Sequence, residues 1–316
     1  MIVRWGLDEL PTLLDEVHVE RPFVIASPRW RDLALPARVG LWTEVPSERI
    51  EVPADADGVL AVGGGSAIDL GKYASAQSGL PVVHVPTTYS GAEWTTFYGI
   101  RSPDRRMKGG GAGAHPAGIL YDVGLTLELP FAETAGTALN ALAHCAEALY
   151  VKGHSAAGDE QALAGAALIS AALPRVLADG TDRLAREELL RGAMHAGHAL
   201  GIAGLALAHA MAQALGGTYG LPHGAMNALC LPPALAFNRE LVPAAIERFG
   251  LAIGGDAVER TRSLALLGGF DRLRDFGVPE EDLPRVAEAA SARAGNQANP
   301  RPATAAEILE LLRTIW

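Results

Sequence analysis

Cysteine is scarce: Cys145 and Cys230 are the two in 316 residues, too few for a disulfide framework, so the chain reads as an intracellular protein. Lysine is scarcer than its partner cation, with Lys72, Lys108 and Lys152 against 23 arginines. Basic excess is absent altogether. A net charge of −10 and a pI near 5.4 exclude the basic face that a nucleic acid or an anionic membrane surface requires. Met1–Trp5 lacks the charged-then-apolar order of a secretory signal, which points to the cytoplasm. Long leucine-rich runs are missing as well. Residues 193–215 carry no formal charge with neutral histidine, but Ala and Gly dominate them and three histidines interrupt them. Small residues and imidazoles drive membrane insertion poorly, so this stretch reads as a helix inside a helical domain.

What is present is an ordinary globular composition, 49% hydrophobic and 20% charged. In the first 125 or so residues, short β-branched runs at 23–27, 58–62, 81–86 and 119–122 alternate with helical spacing, the pattern of a parallel βα sheet. The Gly- and charge-rich stretch 101–113 reads as a loop or hairpin. After Leu129-Pro130 nearly every segment has helical spacing, with breaks expected at Gly153, Gly180, Gly216-Gly217, Pro232-Pro233, Gly254-Gly255 and Pro300. Two domains follow: a nucleotide-binding α/β domain over 1–128, abbreviated in length, and an all-helical catalytic or metal-type domain over 129–316.

Two groups of residues carry chemistry. Val62-Gly63-Gly64-Gly65-Ser66 ends a strand and opens a helix, so backbone N–H groups can approach a phosphate at the positive helix end. The spacing is neither a Rossmann nor a Walker fingerprint, and a plain connecting turn explains the glycines equally well. Lys72 and Lys108 could meet phosphate or carboxylate, or be ordinary surface cations. In the second half, Asn140 and His144 share a helix face at i, i+4, and His209 and His223 lie on separate apolar segments. Three histidines and an amide could converge on a metal or a polar substrate, although each histidine alone is more readily a buried structural imidazole than a ligand. Cys145 follows His144 directly, and adjacent helix positions face apart, which argues against a Cys–His pair.

Read in order, several motifs resemble the iron-containing alcohol dehydrogenase superfamily. They are Gly63–Ser66 with Asp69 and Lys72, Pro86-Thr87-Thr88, Ser90-Gly91-Ala92-Glu93, Asp122 with Leu125-Thr126, Asn140–Glu147, and Pro222-His223-Gly224. That resemblance implies a dehydroquinate synthase-like fold with its active site in the cleft between an α/β and a helical domain. The run Asn140–Tyr150, with Asn where the metal-dependent alcohol dehydrogenases place a ligand Asp, is similar to the maleylacetate reductase branch, as are Phe97–Ile100 and Asn299–Pro302. The likeness implies an NADH- or NADPH-dependent reductase of a small carboxylated enone, taking maleylacetate to 3-oxoadipate in aromatic-compound catabolism, and a homodimer.

Carried over position by position, Gly64, Gly65, Ser66, Asp69, Thr87, Thr88, Ser90 and Lys108 would bind the cofactor. Asn140, His144, His209 and His223 would serve catalysis. Hydride addition to an enone moves charge onto a carbonyl oxygen that imidazoles can stabilise or protonate. The neutral Asn140 removes one charge from a divalent site, yet His144, His209 and His223 could still hold Zn or Fe. Three differences stand out: Gln213 occupies the position of a second histidine one turn after His209, the loop Pro222–Ala228 looks more like the alcohol dehydrogenase form than the reductase form, and the span from 27 to 63 leaves no room for a helix over 46–56. A metal-dependent alcohol dehydrogenase and a non-redox lyase or isomerase on the same scaffold are the competing readings.

Overall fold

The computed structural model describes residues 1–35 and 38–316. The chain divides into two compact units, one of Met1–Thr88 with Ala92–Leu129, the other of Tyr89–Gly91 with Pro130–Trp316. Tyr89–Gly91, placed by sequence in the first domain, goes with the helices for a physical reason. The buried Arg186 donates to the Tyr89 hydroxyl (3.0 Å), the Tyr89 amide donates to Thr137 Oγ1 (3.2 Å), and Gly91 lies against the Gly197 backbone.

The first unit is a parallel sheet built from β1 (Ile2–Trp5), β2 (Pro22–Ala26), β3 (Gly40–Trp42), β4 (Gly58–Gly63), β5 (Pro81–Pro86) and β8 (His115–Tyr121), in the order β1-β8-β5-β4-β2-β3. Helix α1 (Leu10–Glu16) covers one face through Leu10, Leu13 and Leu14. Helix α2 (Gly65–Ser78) covers the other through Ile68, Leu70 and Ala74. β2 and β4 are buried along their whole length, so they read as continuous apolar runs; β1 and β3 are short, half-buried edges that lack such a run. A two-stranded antiparallel hairpin, β6 (Tyr98–Arg101) with β7 (Met107–Gly111), occupies the expected excursion. Among the described residues no helix lies between β3 and β4. Ile50, Val45 and Val52 from that irregular chain complete the core beside α2 instead.

One buried cation joins the hairpin to the sheet unit. Lys72 on α2 donates to the carbonyls of Ala92 (2.9 Å) and Phe97 (2.6 Å) and to Thr95 Oγ1 (2.9 Å), and pairs with Asp69 at 2.9 Å. Its ammonium is therefore enclosed by acceptors and is not directed at a phosphate, which removes that reading of Lys72.

The second unit is helical: α3 (Phe131–Ala148), α4 (Ala156–Ala178), α5 (Arg183–Ala203), α6 (Leu207–Tyr219), α7 (His223–Asn238), α8 (Pro243–Ile253), α9 (Ala257–Leu267), α10 (Leu283–Ser291), α11 (Ala294–Ala298) and α12 (Ala305–Thr314). Side-chain caps start several of them, Ser155 for α4, Asp182 for α5, Asp256 for α9, and a Thr304–Glu307 capping box for α12. The apolar stretch 193–215 is not one helix. The chain bends by 100° between α5 and α6 at Gly204–Ala206. Conversely, α6 runs through Gly216-Gly217 and α7 through Pro232-Pro233, where breaks were expected. Both prolines of α7 are buried, and packing against α3 and α6 offsets the lost helix hydrogen bonds. Among the described residues, α4 alone is by itself long and apolar enough to cross a membrane, and it packs against α3, α5 and α8.

Removing one partner of a buried ion pair leaves the other charge uncompensated, at a cost of about 3 kcal/mol or more. Asp69→Asn, which strands the buried Lys72 ammonium, is accordingly expected to lower the unfolding free energy by about 3 kcal/mol in urea titration.

Candidate active site

In the first unit the glycine turn follows β4. Gly63 has φ +148°, and a Cβ there would overlap the Ser27 hydroxyl, so the chain can turn only with glycine. Gly64 is the N-cap of α2; its carbonyl accepts the Ala67 and Ile68 amides at 2.9 and 3.1 Å, and with no side-chain cap it offers nothing to the Gly65 and Ser66 amides. Ser66 sits in the first turn. Thr87 is fixed by Trp30, whose indole donates to its hydroxyl at 3.2 Å, and by its own amide on the Gly63 carbonyl at 3.0 Å. Thr88 lies beside Gly64, where a Cβ would come within 2.9 Å of its methyl, and its buried Oγ1 has no hydrogen-bond partner. Uncapped amides, an orphaned hydroxyl and a turn closed to any side chain suit a phosphate group.

The remaining residues assigned to the cofactor have the following surroundings. Asp69 accepts from the Gly99 amide at 3.2 Å as well as pairing with Lys72, so it braces the hairpin. Lys108 stands on the exposed strand β7. Ser90 belongs to the helical unit, where its carbonyl accepts from Asn140 Nδ2 at 3.3 Å.

In the second unit the three histidines and Asn140 converge. His144 and His209 stack with ring centroids 4.7 Å apart, and His223 tilts against His209 at 5.9 Å. The helices that present them approach closely because of two glycines. A Cβ on Gly224, at the start of α7, would overlap the Gly136 carbonyl of α3, so this contact brings His223 to the α3 face. Asn140 Oδ1 accepts from Asn227 Nδ2 at 2.8 Å, and Asn227 Nδ2 also lies 3.0 Å from His223 Nε2.

Glu147 completes the cluster and was not singled out from the sequence. It is fully buried, and its carboxylate accepts from the amides of Ala206 (2.7 Å) and His209 (3.2 Å) and from His209 Nδ1 (2.7 Å). Helix α6 has no side-chain cap of its own; Glu147 reaches across from α3 and caps it. An ionised carboxylate is acceptor-only, so His209 carries its proton on Nδ1 and turns a bare Nε2 into the cluster, where that atom has no partner. The i, i+4, i+7 spacing of Asn140, His144 and Glu147 held the signal for this residue, as i, i+4 did for Asn227 beside His223.

His144 is different. Burial first, and then His209 and His223, hold its imidazole well below the ordinary range, so it stays neutral. The neighbouring Cys145 turns its sulfur toward Gly165 on α4, and burial pushes its thiol up, so it is no nucleophile. His195 is engaged with Gln161 at 2.7 Å, and the Trp94 indole donates to the Tyr121 hydroxyl at 2.8 Å, both structural roles.

The donor set does not suit a divalent metal. Asn140 contributes no charge, its oxygen is taken by Asn227, and its Nδ2 faces His144 Nε2 at 3.4 Å. Glu147 is engaged on the far side of His209. Among the described residues no three His, Cys, Asp or Glu side chains are arranged to hold an ion.

Because the folded chain keeps His144 neutral while the unfolded chain protonates it near pH 6.5, stability falls as pH drops below that value. This residue contributes at most about 1.4 kcal/mol per pH unit to the fall. In urea unfolding at pH 7 and pH 5, His144→Gln is expected to lose at most about 2 kcal/mol less stability over that interval than the unsubstituted protein.

The profile described as Fe-containing alcohol dehydrogenase family, C-terminal, matches residues 134–316, and that of iron-containing alcohol dehydrogenase matches 50–122. The maleylacetate reductase of Sphingobium indicum is 37% identical over 82% of this chain and 73% of its own length. That of Pseudomonas knackmussii is 33% identical over 98% and 93%. The crystal structure of maleylacetate reductase from Rhizobium sp. strain MTP-10005 superimposes with a TM-score of 0.88 at 29% identity, covering 100% of this chain and 95% of that one. With the parallel sheet, its glycine turn and the helical histidine cluster already in place, these likenesses settle the family: the chain is an oxidoreductase of the iron-containing alcohol dehydrogenase family.

Proposed function

We propose that the chain is an NAD(P)H-dependent reductase that takes maleylacetate, or a closely similar carboxylated enone, to its saturated oxo acid. The observation that carries this reading is the Glu147–His209 pair beside the neutral His144 and Asn140. A nicotinamide cofactor supplies the hydride when bound, and Gly64, Gly65 and Ser66, with Thr88 alongside, would hold its phosphates at the α2 N-terminus. Hydride arriving at the double bond drives negative charge onto the conjugated carbonyl oxygen. His209 Nε2, bare in the resting cluster, can take up a proton from water, because Glu147 on Nδ1 balances the imidazolium charge in a buried setting, and can then pass that proton to the substrate, returning to the neutral form. His144, kept uncharged, can orient that oxygen without competing for the proton. A ketone–alcohol interconversion would call on a Lewis acid, which this donor set does not accommodate. The reading extends to a cytoplasmic homodimer, as the family likeness implies.

Maleylacetate-dependent oxidation of NADH or NADPH by the purified protein tests it. Turnover is expected to persist in chelator, and Glu147→Gln or His209→Gln to lower kcat about a hundredfold with a much smaller change in KM. Metal-activated oxidation of small alcohols, with no maleylacetate turnover, would replace this reading with an alcohol dehydrogenase. Failure to bind either dinucleotide would point to non-redox chemistry.

A further inference from the structure

Two carboxamides stand among the three imidazoles, and the proposed reaction gives no role to the second of them, Asn227. Asn227 is fully buried on α7, one turn after His223, and Asn140 faces it from α3. An amide presents either its oxygen or its nitrogen to a neighbour, and here backbone carbonyls decide which. The Ser90 carbonyl lies 3.3 Å from Asn140 Nδ2 and accepts only from a nitrogen, so Asn140 turns its oxygen the other way. That oxygen accepts from Asn227 Nδ2 at 2.8 Å. The His223 carbonyl, 3.2 Å from the same Nδ2, demands the same orientation of Asn227. The two amides are therefore locked head to tail. A flip of either one would set acceptor oxygens against each other.

This orientation reaches the imidazoles. An amide nitrogen donates and does not accept, so a ring nitrogen that it faces must be a bare lone pair. Asn227 Nδ2 lies 3.0 Å from His223 Nε2, and Asn140 Nδ2 lies 3.4 Å from His144 Nε2. Both rings are therefore neutral, with the proton on Nδ1. His209 carries its own proton on Nδ1 as well, toward Glu147 at 2.7 Å. All three rings thus hold the Nδ1–H tautomer, the reverse of the preference of a free imidazole side chain. Amide protons occupy two of the three Nε2 lone pairs, and the third, on His209, has no partner among the described residues. We propose that Asn227 is a positioning residue: together with Asn140 it fixes the tautomers of His223 and His144, which leaves His209 Nε2 as the imidazole lone pair that stays open to a proton. The use of that lone pair rests on the reductase function proposed above, whereas the placement of the protons rests on the amides.

Nitrogen NMR of the full chain, isotope-labelled at histidine and free of substrate and cofactor, tests it. Protonated and bare ring nitrogens differ widely in chemical shift, so the tautomer of each ring is read directly once His144→Gln, His209→Gln and His223→Gln have assigned the signals. The expected result is a protonated Nδ1 and a bare Nε2 at all three positions. Asn227→Asp keeps the shape of the side chain but replaces its donor with an acceptor. It is expected to move a proton onto His223 Nε2 while His209 Nδ1 stays protonated, with thermal melting confirming that the variant folds. In the maleylacetate assay the same variant should lower kcat about tenfold with KM changed by less than about threefold. A protonated Nε2 on His144 or His223 of the unsubstituted chain overturns the inference, whether or not the variant folds. So does a folded Asn227→Asp protein in which the His223 tautomer is unmoved, since Asn227 would then serve packing alone. The spectra need no turnover, so the two readings fail separately. Turnover with the wrong tautomers sinks this inference alone, and the expected tautomers without maleylacetate turnover sink the reductase reading while the proton placement stands.

Discussion

The buried carboxylate of Glu147 is the constraint on which the helical unit depends. A carboxylate with no exposure is costly unless its lone pairs are filled, and here two amides at the start of α6 and one imidazole fill them. The same contact does three things at once. It caps a helix that has no cap of its own, it fixes where the chain turns by 100° after α5, and it sets the tautomer of His209. Stability and chemistry are therefore not separable at this residue. The group that orients the proton-carrying imidazole is also the group that lets its helix begin.

Around that contact the remaining polar groups are arranged by close helix approach. The Gly136–Gly224 contact removes side-chain thickness between α3 and α7, and only then can Asn227 bridge Asn140 and His223. The stacked His144 is denied a proton by burial and by its two neighbours. A cluster of three imidazoles thus becomes asymmetric: one is backed by a carboxylate, one is held neutral, and one is tied to an amide. Such division of roles by environment is how chemically identical groups come to act differently in one pocket.

The sheet unit follows a parallel logic with a cation in place of the anion. Lys72 is buried among carbonyls and Asp69, and so ties the hairpin to α2. That arrangement leaves the first turn of α2 uncapped by side chains and the wall of β6 close to Ser66. In place of a crossover helix, irregular chain from 43 to 57 inserts Ile50, Val45 and Val52 into the core, which keeps the sheet covered.

Much of this was legible in the residues themselves. Strands buried on both faces announce themselves as apolar runs, so β2, β4, β5 and β8 were readable, and the glycine turn stood out because a side chain cannot occupy it. The face shared by Asn140 and His144 follows from 3.6 residues per turn. Local pattern could not reveal β1 and β3, whose short half-buried edges resemble loop, nor the run of α7 through Pro232-Pro233, where neighbouring helices override propensity. It also joined residues 193–215 into one segment, although the chain bends there to bring Glu147 to α6. Above all, the partner of Glu147 lies 62 residues away, so spacing marked its helix face and nothing more. The sequence by itself determined which segments could be helix, strand or turn, because those preferences are set by near neighbours. Tertiary structure alone decided which histidine holds a carboxylate and which lysine is enclosed, because those depend on groups far apart in the chain that only packing brings together.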